Sequence, residues 1–332
     1  MAEFKNAFIF VSDALSYEEV PEQLVEEAES DAIRTLAPSM HSPKSFASLL
    51  TGLEVTNHEV YHFGDKLEQD HVLEMFENSN LFDDDRSGVR YMLGLGEENP
   101  ELTEMEEPFF WVERALETHL PYGYCDTHGE EDEKESAEGE PLKGKSREEI
   151  QEEYRDAARK SFRHFKRHVE ELKEMGVYED TLVIFTADHG ELLGQRVSGR
   201  RRYRHVKPAS RPLAEVPTVF YNYEIEADRM RTVDILPTAL DLLDKEWMME
   251  TDGESILKEL PTQGKCPTGP YIFELDWHWD EKKKRWSMDR KSMLKGIFED
   301  HCPEKVMTAL GLNSHEIRFG KNRTDTGEYH DE

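Results

Sequence analysis

The sequence predicts an α/β fold: a mostly parallel central sheet flanked by helices on both faces, with a small C-terminal appended element. Two observations lead there. Short apolar blocks of strand length recur along the chain, and patterns with helical spacing separate them. Strands that alternate with helices favour a parallel sheet, because each crossover lays a helix against one of its faces.

Taken in order, "AFIFV" (7–11), "VRYMLGL" (89–95), "PFFWVERA" (108–115), "TLVIF" (181–185), "VPTVFY" (216–221) and "YIFEL" (271–275) read as buried strands. After the first, "TLAPSMHSPKSFASLLTG" (35–52) reads as a serine-rich loop feeding an apolar helix that ends at Gly52. Between the third and fourth blocks a long helix is expected. Its Tyr154, Ala158, Ser161, Phe165, Val169 and Leu172 share one face, and Gly176 closes it. The acidic stretch 129–149 has too few apolar residues to pack and reads as an exposed loop. One α/β domain is drawn over 1–278, and a C-terminal extension over 279–332. No internal repeat is visible.

Composition narrows the function classes. The 332 residues include 72 acidic and 41 basic side chains, a formal net charge of −31. So negative a surface repels nucleic acid and anionic membranes, and neither is expected as a partner. It suits a salt-rich, halophilic cytoplasm as well as an ordinary acidic protein; stability that rises between low and molar KCl would select the first. The three cysteines, Cys125, Cys266 and Cys302, lack CxxC spacing, so neither a disulfide framework nor a zinc knuckle is indicated. The N-terminal apolar block is too short for a signal sequence, and no run approaches a membrane span. A cytoplasmic location is expected. Nothing in the chain speaks to oligomeric state.

Chemistry concentrates at two strand ends. Asp13 follows "AFIFV", and Asp188–His189 follow "TLVIF". Strand ends of one parallel sheet can lie side by side, so these three side chains can converge on one divalent ion. Carboxylates with an imidazole suit zinc, manganese or iron ahead of calcium or magnesium. In the 35–52 stretch, a hydroxyl at a helix N-terminus beside such an ion would lose its proton readily.

Six fragments, in order, resemble the sulfatase and alkaline phosphatase superfamily: "SPKSFASLLTG", "TGLEVTNHEVYHFGDKL", "ETHLPYG", "GVYEDTLVIFTADHGELLG", "RHVKPASRPLAEVPTVF" and "RTVDILPTALDLL". The family's nucleophile stands ten residues before the glycine of its Thr-Gly pair, which selects Ser42. The resemblance implies one divalent metal (zinc, manganese or calcium) held by Asp13, Asp188 and His189, with Ser42 as both ligand and nucleophile. It places His119 and His205 around the transferring group as hydrogen-bond donors or acids. Lys44, Arg204 and Lys207 are candidates for gripping an anion.

Two departures matter. Phe46 stands where the family's formylglycine signature has arginine, so Ser42 is expected to act as an ordinary hydroxyl. Ala14 replaces a frequent second aspartate. The "CDTHG" stretch, with Asp126 and His128, does not match the spacing of two-metal relatives. The implied activity is hydrolysis of small-molecule sulfate, phosphate or phosphonate esters. The alternatives are transfer of a phosphoryl-linked group to an alcohol on the same site, or a non-catalytic binding protein on the same fold.

Overall fold

The computed structural model describes residues 3–288, apart from 63, 84–87, 97–98, 124–141, 207, 248, 259 and 269–272. The first half contains β1 (Asn6–Ser12), α1 (Glu22–Glu27), β2 (Ile33–Leu36), α2 (Ser42–Thr51), α3 (Val55–His58), β3 (Asn78–Asp83), α4 (Val89–Met92) and β4 (Phe109–Ala115). Next come α5 (Arg147–Met175), β5 (Thr181–Thr186), β6 (Leu193–Val197), β7 (Arg200–Tyr203) and α6 (Arg211–Ala214). The chain continues through β8 (Glu215–Phe220), β9 (Arg229–Arg231), α7 (Thr232–Leu242), β10 (Gln263–Thr268), β11 (Phe273–Asp280) and β12 (Arg285–Met288).

A seven-stranded sheet in the order β3-β4-β1-β5-β8-β2-β9 forms the centre. β3, β4, β1 and β5 run parallel; β8 is antiparallel to both β5 and β2, and β9 runs parallel to β2. The sheet is mostly parallel, with β8 reversed. Side chains alternate across a strand, so β1 feeds two cores. Ala7, Ile9 and Val11 pack with Phe46 and Leu50 of α2 and Ile235 and Leu236 of α7. Phe8 and Phe10 pack on the other face with Phe165, Val169 and Leu172 of α5. Helices therefore cover both faces.

The capping of α5 is explicit in its sequence. Ser146 accepts from the Glu149 amide while Glu149 reaches back to the Ser146 amide, and Gly176 ends the helix at φ 77°. Its inward face carries the six residues anticipated, together with His164 and His168.

Several local expectations fail. The apolar run 89–95 predicts a strand, but its residues 89–92 form the short helix α4, in which Val89 and Met92 turn inward one turn apart. An apolar run without a period of two does not by itself separate strand from helix. Of the block 271–275, residues 271 and 272 lie outside the described residues. From Phe273 it forms β11, the middle strand of an antiparallel three-stranded sheet, β10-β11-β12, apart from the central one. Trp277, Trp279 and Trp286 of this sheet bury against Leu36, Met40 and Leu213. β11 passes through position 278, where the sequence-based boundary was drawn, and 289–332 lie outside the described residues. Of the stretch 129–149, positions 142–149 are described, and their last residues open α5. No helix among the described residues is long and apolar enough to cross a membrane.

Candidate active site at the strand ends

The parallel strands β1, β4, β5 and β3 end on one side of the sheet, and their carboxyl ends deliver most of the site. Asp13 leaves β1 with its amide bonded to the Ala115 carbonyl (2.8 Å), while the Thr118 hydroxyl donates to its own carbonyl (2.6 Å). Asp188 and His189 leave β5. Asp188 Oδ1 is held by the amides of Ala14 (3.1 Å) and His189 (2.8 Å). Ala14 takes a left-handed backbone (φ 65°), an unfavourable state for an alanine that points its amide at Asp188.

Ser42 is the first residue of α2, and Pro43 follows it, where a missing N–H costs the helix nothing. Its hydroxyl donates to Asp13 Oδ2 at 3.2 Å. His189 Nε2 stands 3.7 Å from Asp13 Oδ1 and 3.5 Å from Asp188 Oδ2. These ligand atoms of Asp13, Asp188 and His189 lie within 4.8 Å of one another. Asp13 Oδ1 and Asp188 Oδ2 are buried with no hydrogen-bond partner. Two uncompensated carboxylate oxygens facing one imidazole nitrogen are costly unless a cation sits between them, so the donor set fits a divalent metal.

The electrostatics point the same way. Burial pushes Asp13 up, but the Arg114 guanidinium and the nearby imidazoles of His119, His189 and His205 outweigh it and hold its carboxyl well below the usual range. Burial and the charge of Asp13 push Asp188 up. Burial, with the charge of His205, drives His189 down to about 3, leaving a neutral imidazole suited to ligation.

His119 follows β4, and its ring centre stands 5.3 Å from that of His205, which lies 4.7 Å from that of His189. His205 Nδ1 donates to the buried Glu191 carboxylate at 2.9 Å, leaving Nε2 for other work. Burial lowers the His205 pKa, but Glu191 more than reverses this, and the net shift is upward. Lys44 is buried on the first turn of α2, its charge felt at His58 and Cys266. Arg204 is exposed at the end of the β6–β7 hairpin. Lys207, Asp126 and His128 lie outside the described residues. Phe46, at the position of the missing arginine, is buried in the α2–α7 core and turned away from this chemistry.

Three site residues escaped the sequence reading. Arg114 of β4 grips Asp13 Oδ2 through Nη2 (2.7 Å) and Nε (2.8 Å), reaches Asp83 Oδ1 at 3.2 Å, and lies 3.4 Å from Ser42 Oγ. Asp83 is the last residue of β3. Glu191, two residues past His189, orients His205. The available signals were a charged pair inside an otherwise apolar strand, Glu113–Arg114, and an acid placed directly behind "DHG".

Fold and site together define an α/β protein with a candidate metal centre facing a serine at a helix N-terminus. Comparison with known proteins places it further. The family model described as Sulfatase matches residues 97–245. The chain is 31% identical over 285 residues to the low-salt glycan biosynthesis sulfotransferase Agl7 of Haloferax volcanii, covering 79% of this chain and 66% of that protein's length. Among solved structures it is similar to a 2-O GAG sulfatase, with TM-score 0.62, 13% identity, and 96% and 95% of the two chains covered. It is also similar to the phosphonate monoester hydrolase SpPMH from Silicibacter pomeroyi, with TM-score 0.58, 15% identity, and 94% and 96% covered. The chain belongs to the sulfatase and alkaline phosphatase superfamily.

Proposed function

We propose that the chain is a metal-dependent hydrolase of small-molecule sulfate, phosphate or phosphonate esters, working through a covalent Ser42 intermediate. One observation carries the reading. The Ser42 hydroxyl, at the start of α2, donates to Asp13 Oδ2 beside two buried carboxylate oxygens that lack a partner. A divalent ion bound by Asp13, Asp188 and His189 supplies positive charge that lowers the serine pKa and offsets charge on the transferring group.

The protein's own residues do the rest. Asp13 orients the Ser42 O–H, and Arg114 adds a fixed positive charge within 3.4 Å of that oxygen. As Ser42 passes its proton to Asp13 Oδ2, Oγ attacks the sulfur or phosphorus, its bond to that atom forms, and the bond to the ester's leaving oxygen breaks. His205, whose pKa Glu191 raises, gives its proton to that oxygen, and His119 stands beside it to bind the group. Water then attacks the sulfur or phosphorus of the serine ester and gives a proton to His205; the bond to Ser42 Oγ breaks, Asp13 returns the serine its proton, and the oxyanion is released.

The test is turnover of chromogenic sulfate, phosphate and phosphonate esters by Ser42→Ala. Loss of at least about 10³-fold in kcat is expected, because the nucleophile and the step it opens both vanish. Full turnover by that variant would end the reading. A second reading keeps the site and changes the acceptor: the serine ester passes its group to an alcohol. The name of the Haloferax relative, a sulfotransferase, favours it. Product analysis with rising glycerol or sugar separates the two, since a transferase forms the new ester at the expense of free sulfate or phosphate.

A further inference from the structure

On the opposite face of β4 lies a second convergent cluster that the proposed reaction does not use. Neighbouring residues of a strand point to opposite sides, so Arg114 faces α2 while Glu113 faces α5. Glu113 is completely buried, and two histidines one helical turn apart on α5, His164 and His168, close on it. His164 Nε2 lies 2.9 Å from Glu113 Oε1, His168 Nε2 lies 2.7 Å from Oε2, and the two Nε2 atoms are 3.3 Å apart. Each imidazole is braced from behind: His164 Nδ1 by Glu117 Oε1 and His168 Nδ1 by Glu171 Oε2, both at 2.7 Å.

We propose that Glu113, His164 and His168 form a second metal site, which takes zinc or a similar divalent ion and staples β4 to α5. When the Nδ1–H groups donate to Glu117 and Glu171, both Nε2 atoms carry lone pairs aimed at each other and at two carboxylate oxygens. Four acceptors then crowd one buried point, which only a proton or a cation can relieve. The geometry favours the cation. Both Glu113 oxygens stand this close to imidazole nitrogens and yet receive no well-directed hydrogen bond. Two ligands at about 2.05 Å on a tetrahedral ion stand about 3.3 Å apart, the separation found between the Nε2 atoms. The Glu113 oxygens need to open by about 0.5 Å to match. A carboxylate behind each imidazole is the usual support of a zinc histidine, fixing its tautomer and raising its basicity.

The site is independent of the ester chemistry but is tied to its scaffold. Glu117 precedes His119 by two residues, and its carbonyl accepts from the Gly123 amide at 2.7 Å. Ser161, one turn before His164, bonds Ser12 at 2.8 Å, next to Asp13. An ion here fixes the loop that carries His119 and the end of β1.

Metal stoichiometry on the full chain tests this. Chelator-stripped protein reloaded with zinc and desalted is expected to hold two zinc per chain by elemental analysis. Asp188→Asn with His189→Asn is expected to hold one, and adding His164→Gln and His168→Gln to leave none. A folded His164→Gln/His168→Gln chain that holds as much zinc as the wild type overturns the proposal. If that variant does not fold, ¹⁵N-histidine NMR of the stripped wild type decides. Zinc is expected to shift the His164 and His168 Nε2 resonances. Resonances that stay those of imidazolium under saturating zinc mean the cluster holds protons only, which overturns the proposal.

Discussion

Replacing Arg114 by methionine removes a guanidinium that two buried carboxylates share. Asp13 and Asp83 have fully buried side chains, and Arg114 is 5% exposed. Its fork meets Asp13 Oδ2 at 2.7 and 2.8 Å, and its Nη1 meets Asp83 at 3.2 and 3.4 Å. At an effective dielectric of about 20, opposite charges 4 Å apart attract by roughly 4 kcal/mol, so two such pairs bound the loss at about 8 kcal/mol. Protonation of Asp13 returns part of it, and removing one partner of a buried pair costs about 3–5 kcal/mol. Folding equilibrium in metal-free protein should therefore fall by about two to three and a half powers of ten. Equilibrium urea unfolding followed by tryptophan fluorescence, with chelator present, reads this directly. Arg114→Lys keeps the charge but cannot bridge both acids, and should fall between the two. An Arg114→Met chain within about 1 kcal/mol of the wild type refutes the reasoning.

Two further outcomes follow from the same site. His205 gives its proton only while protonated, so kcat/KM should decline as pH rises through its raised pKa. Glu191→Gln removes the carboxylate that raises it, and the declining limb should move to lower pH. Above the limb the loss should approach the ~10²–10⁴-fold that general acid catalysis is worth, and a limb that stays in place refutes the assignment. Gly190 sits where a Cβ would meet the Pro212 carbonyl oxygen at 1.9 Å and Ser16 Oγ at 2.8 Å. Gly190→Ala must push the 188–191 turn away from the chain at 212, so it should cost about 3 kcal/mol and lower zinc retention at His189. Thermal unfolding and elemental analysis check both, and an unchanged melting point would show that the turn has room.

How far the fold could be read in advance varied with the kind of force that made each element. β1, β4, β5 and β8 were legible because each carries a run of apolar residues long enough for a buried strand, and polar residues directly after such a run sit at the sheet's rim. That logic located Asp13 and Asp188–His189. It could not find β3, whose "NSNLFD" has neither alternation nor β-branched side chains; its register with β4, Asn78 to Asp83 against Phe109 to Arg114, makes it a strand. Asp83 was invisible for the same reason. Residues 89–95 misled because an apolar run says only that something is buried. The α5 histidines could have been placed from the phase of the helix, since His164 and His168 lie one position before Phe165 and Val169, but the apolar stripe alone drew the reading. Glu113 and Arg114 carry the more general lesson. A charged pair inside a buried strand cannot send both side chains the same way, so each face must supply its own counter-charges. β4 thereby hangs two polar centres from adjacent residues, one toward Ser42 and one toward α5, and each centre limits how far that strand end can move for the other.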